Sequence, residues 1–146
     1  MNGKIKKFFL VSLLIFIFAF ILNFVWESYH SIFLYNCCQY IDTLSYLKLI
    51  SYVSIIDSLI ILLMYSVVGL FYGSLWMEEI ERTSFYLFLV LGLIVAAFIE
   101  YKAIFVLNKW SYTELMPTIF GIGFSPLIQL SFTGLLTILI VRKLAD

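Results

Sequence analysis

The stretch from Phe8 to Trp26, FFLVSLLIFIFAFILNFVW, contains no charged side chain. A run of about 18 or more apolar residues can cross the ~30 Å hydrocarbon core of a bilayer as a helix. Inside lipid the backbone finds no water, so only helices and closed barrels satisfy its polar groups. Barrel strands alternate over ten-residue segments, and this run does not alternate, which leaves a helix. Three more such runs follow. The expected helices span approximately 8–35, 49–76, 85–107 and 117–141. The predicted fold class is all-α, a polytopic membrane protein built as one four-transmembrane-helix bundle over residues 1–146.

Composition agrees. Hydrophobic residues make up 64% of the chain and charged residues 12%, against about a quarter charged in soluble domains. The formal net charge is zero, so no strongly charged partner is implied. No basic stripe with interleaved aromatics is present, which argues against nucleic acid as a partner. The N-terminal MNGKIKK followed by the first apolar run mimics a secretory signal, but no A-x-A-like site follows. It reads as a retained anchor. Lys4, Lys6, Lys7, Arg82, Arg142 and Lys143 fall on one side of the expected topology, and Lys48, Lys102 and Lys109 on the other. The excess of basic residues predicts that both termini are cytoplasmic in the cell membrane. The adjacent Cys37 and Cys38 have neither disulfide geometry nor metal-ligand spacing and read as small interfacial residues.

The polar residues inside the apolar runs carry the functional information. Asn23, Trp26, Glu27 and His30 recur at helical spacing and share one face of the first helix. Counting ~1.5 Å per residue from the cytoplasmic ends puts Glu27 and Asp57 at roughly 28 Å and Glu100 at roughly 23 Å. Gln129 lies at about 18 Å on the same scale. Apolar sequence continues beyond each acid, so none marks a clean helix end. Three helices are thus expected to aim carboxylates at one outer-leaflet pocket. Asn23, Trp26, Trp110, Tyr112 and Gln129 would line it. On the third helix Gly92, Ala96 and Glu100 form a small-residue ridge suited to close packing. In the fourth run, MPTIFGIGFSPLIQL, Pro126 predicts a kink or break.

Close carboxylates in a low dielectric cannot all ionise cheaply. With His30 able to share a proton, Glu27, Asp57 and Glu100 have the equipment for acid–base catalysis. In an aromatic-lined pocket within lipid, the expected ligand is a membrane lipid or isoprenoid, and Trp26, Trp110 and Tyr112 can stabilise positive charge. No cofactor is expected. A hard-cation site from Glu27, His30, Asp57 and Glu100 is the metal alternative, weakened because di-iron bundles use two Glu-x-x-His motifs and this chain has one histidine. A second alternative is a proton- or cation-coupled transporter or channel subunit, which with four helices would act as a homo-oligomer. A third is a structural subunit of a membrane complex.

NFVWE, the intramembrane Asp57 and Glu100, KWSYTELMP and GIGFSPLIQL together resemble the pattern of a family of small four-helix prokaryotic integral membrane proteins. That family brings no activity with it. Trp26–Glu27 with acids on other helices is also loosely similar to integral-membrane terpene cyclases and emopamil-binding-type sterol isomerases, which have more helices. This likeness implies isomerase- or cyclase-type chemistry on a hydrophobic substrate.

Overall fold

The computed structural model describes residues 3–36 and 41–145. Cys37 and Cys38 lie outside the described residues. Four α-helices form a bundle: α1 (Gly3–Phe33), α2 (Thr43–Tyr72), α3 (Arg82–Tyr101) and α4 (Phe124–Ala145). With the turn that extends α3 to Val106, all four are long and apolar enough to cross a membrane.

Local chemistry sets the boundaries. Asp42 caps α2 by accepting from the backbone N–H of Leu44 at 3.0 Å and Ser45 at 3.1 Å, so the helix begins six residues before the expected position 49. It ends at Gly73, whose φ of 92° suits glycine. Trp76 is therefore not helical, contrary to the sequence expectation. The chain turns back there and stacks Trp76 on Tyr65 at 5.4 Å between ring centroids, with its indole N–H donating to the Tyr65 carbonyl at 3.1 Å. Burying an indole under the bundle with its N–H satisfied outweighs one more helical turn.

Helix α3 widens after Tyr101 into a π-helical turn, Lys102–Val106, and stops at Asn108, which takes φ 48°, a conformation asparagine tolerates. The following segment is stitched onto the end of α1. Asn36 N–H donates to the Ser111 carbonyl at 3.0 Å and Thr113 N–H to the Leu34 carbonyl at 3.0 Å. Residues 34 and 35, expected as helix, form part of this junction, and Tyr35 makes an isolated antiparallel bridge with Tyr112.

The largest correction concerns the fourth run. Residues 117–123 are not helical. Thr118–Ile119 (β1) pairs antiparallel with Ile122–Gly123 (β2) through a tight turn at Phe120 and Gly121, both with positive φ. Helix α4 starts at Phe124, so Pro126 falls in the first turn, where its missing N–H has no intrahelical acceptor to lose. The expected kink is a helix start.

Helix α1 packs along α2 and α4, and α3 along α4, while α2 and α3 touch less. The half of the bundle near the α2–α3 loop is a dry core of Val11, Ile15, Ile61, Met64, Phe88 and Ile138, among others. The expected small-residue ridge is present. A Cβ on Gly92 would run into Ser131 and Met64, and one on Gly134 would lie 2.8 Å from the Phe88 ring. Asn23, Glu27, Asp57, Glu100 and Gln129 lie in the other half.

Candidate functional site

Gln129 organises the first part of the site. Helix α4 turns its side chain into the bundle, where the amide nitrogen donates to Glu27 Oε1 at 2.6 Å, Asp57 Oδ2 at 3.0 Å and Asn23 Oδ1 at 3.1 Å. Two N–H bonds serve three oxygens from two other helices. Asn23 is held in place: its own amide donates to the Ala19 carbonyl at 2.9 Å, and its oxygen also accepts from Thr133 Oγ1 at 3.1 Å. That arrangement fixes which Asn23 atom faces Gln129 and makes the network directional. The neighbouring Ser54 and Ser58 donate to carbonyls of their own helix, at 2.7 Å and 2.5 Å.

Glu100 forms the second part, on α3. It is buried, and three donors surround it: Tyr35 Oη at 3.2 Å from Oε1, with Trp110 Nε1 at 3.4 Å and Tyr112 Oη at 2.5 Å from Oε2. Tyr112 in turn accepts from Gly123 N–H at 2.8 Å, which ties the hairpin to this carboxylate. Burial, then the nearby Glu100 charge, pushes the Tyr35 phenol well up. Burial and the bond to Glu100 do the same to Tyr112. Both phenols therefore keep their protons and act as donors.

Between the two parts lies a cavity of about 440 Å³, within the usual range for small-ligand sites. Glu27, Asp57, Glu100, Gln129 and Trp110 all line it, with Ser31, Tyr35 and a largely apolar remainder. The wall also includes Leu49 and Tyr52, which are exposed on the flank of the bundle, Tyr52 at 65%. The cavity therefore opens sideways, in the gap between α2 and α3. Tyr35, Lys109 and Trp110 also line it, from the segments that follow α1 and α3.

The structure brings together five of the nine expected site residues on this wall: Glu27, Asp57, Glu100, Trp110 and Gln129. Asn23 and Tyr112 stand one bond behind it. His30 and Trp26 do not line it. The His30 Nε2 pairs with Ser125 Oγ at the start of α4, and its ring meets Trp26 edge-on at 5.3 Å. Trp26 itself packs on Phe132. The indole N–H of Trp26 and Nδ1 of His30 are buried without a hydrogen-bond partner among the described residues. Among the described residues no three His, Cys, Asp or Glu side chains are placed to hold a metal ion, so the hard-cation alternative gains no geometric support.

Tyr35, Ser31 and Thr133 belong to the site and carry no sign of it in the sequence, and Lys109, which reads there only as a basic loop residue, stands at its border. Tyr35 reads as the tail of an apolar helix. Its inward turn depends on the bridge to Tyr112, which helical periodicity does not encode. Comparison with protein-family models, curated proteins and solved structures finds no match to this chain.

Proposed function

We propose that the chain is a multi-pass protein of the cell membrane, with both termini cytoplasmic, whose lateral cavity binds a lipid or isoprenoid and performs acid–base chemistry on it. The observation that carries this reading is the convergence of carboxylates from three helices on one 440 Å³ cavity whose remaining wall is largely apolar. A carboxylate within a spanning segment costs about 2.5–3.5 kcal/mol at the bilayer centre, and three that share a cavity imply a use for them. The resemblance to small four-helix prokaryotic membrane proteins is part of the same proposal.

The roles follow from the bonding. Glu100 accepts at both oxygens and acts as a fixed negative charge, with Trp110 beside it to face developing positive charge. Glu27 and Asp57 each accept from Gln129 at one oxygen and have no donor at the other among the described residues. Those second oxygens are the ones able to deliver a proton to an alkene or remove one from an adjacent carbon. Two carboxyls that share one amide donor suit an isomerisation, in which one adds a proton and the other takes a different one. Atoms balance, and the protein is returned with its proton relocated.

The test uses an isoprenoid alkene incubated with the purified protein in D₂O. Deuterium should enter allylic positions, and Glu27→Gln and Asp57→Asn should each abolish the exchange. A cation flux in liposomes that Asp57→Asn removes, with no exchange and no co-purifying apolar molecule, would replace this reading with transport by an oligomer.

A further inference from the structure

We propose that the cavity selects an amphiphile with a primary ammonium head group. This rests on the lateral ligand cavity just described and not on the alkene chemistry: it names an occupant that meets Glu27 and Asp57 as ionised acceptors and so takes the place of an alkene there.

The argument is an account of donors and acceptors. Every interior donor on the wall is already committed to the protein. Both N–H bonds of Gln129 are spent on Asn23, Glu27 and Asp57. The Tyr35 hydroxyl and the Trp110 indole donate to Glu100. Ser31 donates to the Glu27 carbonyl at 2.7 Å and also meets the Tyr46 hydroxyl at 3.0 Å. With Glu27 and Asp57 ionised, the interior therefore presents acceptors and no free donor among these groups. The acceptors left over are one oxygen each of Glu27, on α1, and Asp57, on α2.

A head group entering this space must bring its own N–H or O–H bonds. A carboxylate or phosphate brings negative charge toward three carboxyl groups and finds no interior donor, and is disfavoured. A neutral alcohol brings a single O–H and serves one of the two oxygens. An ammonium brings three N–H bonds and the opposite charge, and charge-assisted bonds of this kind are about twice as strong as neutral ones. Lys109, the cation on the wall, is exposed and adjoins Trp110 in the segment that follows α3, so it leaves the Glu27–Asp57 side free. The apolar wall includes Leu49, Val53, Ile99 and Leu130, which suits an alkyl chain. At about 30 Å³ per water, the 440 Å³ space equals roughly 15 water volumes. It holds a head group and the first part of a tail, and the rest of the tail lies outside along Tyr52.

The probes are n-dodecyl primary amine, n-dodecanol and dodecanoic acid, offered together at equal concentration to the full chain in nonionic detergent and read by native mass spectrometry. The amine adduct should exceed each of the others at least tenfold. Glu27→Gln and Asp57→Asn should each reduce the amine adduct at least tenfold and reduce the alcohol adduct less than twofold, and Lys143→Ala, an exposed change in the last turn of α4 away from the cavity wall, should not reduce the amine adduct. Two acid variants are used so that a folding failure in one, seen by gel filtration, leaves the other to decide. Equal retention of all three probes, or an amine adduct indifferent to both variants, overturns the ammonium proposal while the lipid-cavity reading stands. Absence of every adduct from the unaltered protein overturns both.

Discussion

Replacing Gln129 with leucine keeps the volume and removes the hub of the polar network. The cost can be worked from the bonds. Asn23 retains its bond from Thr133 at 3.1 Å, so it adds little. Glu27 and Asp57 lose the donors at 2.6 Å and 3.0 Å that are the only ones they have among the described residues. A buried acceptor left without a partner costs about 1–3 kcal/mol. Both carboxyls face the cavity, where water can take over part of the bond, so the lower half of that range applies to each. The expected loss is about 2–4 kcal/mol in all. At about 2–4 °C per kcal/mol for a chain of this size, the unfolding midpoint falls by roughly 5–15 °C. Thermal unfolding in detergent, followed by tryptophan fluorescence, measures this directly. A double-mutant cycle with Asp57→Asn should show coupling of about 0.5–3 kcal/mol, as expected for residues in one network. A Gln129→Leu protein that melts with the parent, or that adds independently to Asp57→Asn, refutes the hub.

Four further outcomes follow from the same geometry. Tyr112→Phe removes the 2.5 Å bond to Glu100 and the acceptor of Gly123 N–H, which should cost about 1–3 kcal/mol and speed proteolysis within residues 113–123. Gly92→Leu drives a side chain into Ser131 and Met64, whereas a Cβ at Gly69 meets ordinary contacts at 3.6 Å and 3.8 Å; expression of folded protein should collapse for the first and persist for Gly69→Ala. The capping bonds hold the exposed Asp42 carboxyl below its ordinary value. Its contribution is present above the unfolded-state value and lost as pH falls through the lower folded-state value, so a melting difference between the parent and Asp42→Ala should shrink under acid. The Lys7–Glu78 pair at 2.6 Å is 40% and 39% exposed, so Lys7→Ala should shift stability by less than about 1 kcal/mol.

How much of this was written in the primary sequence depends on which physical rule governs each residue. Glu27, Asp57 and Glu100 could be placed at one level by counting helical rise, because a continuous apolar run fixes both the helix and its length scale. Trp76 is not helical, but α2 covers both sides of Asp57, which meets Gln129, and the three acids line one cavity. Residues 117–123 escaped for the opposite reason. An apolar hairpin and an apolar helix have similar composition, and Pro126 reads as an interruption because nothing local shows that the helix begins two residues earlier. His30 shares a helix face with Glu27, but a face is wide enough for two neighbours. Glu27 reaches Gln129, while His30 reaches Ser125 one turn nearer the start of α4. Tyr35 was hidden because its position is set by a contact with Tyr112, far along the chain.

The sideways mouth beside Tyr52 determines how occupancy should be measured. A guest that arrives along the flank of α2 and α3 comes from the surrounding amphiphile, so its effective dose is a mole fraction within that phase. Adding empty micelles or plain lipid should strip the guest at constant bulk concentration, and adding buffer should leave it in place.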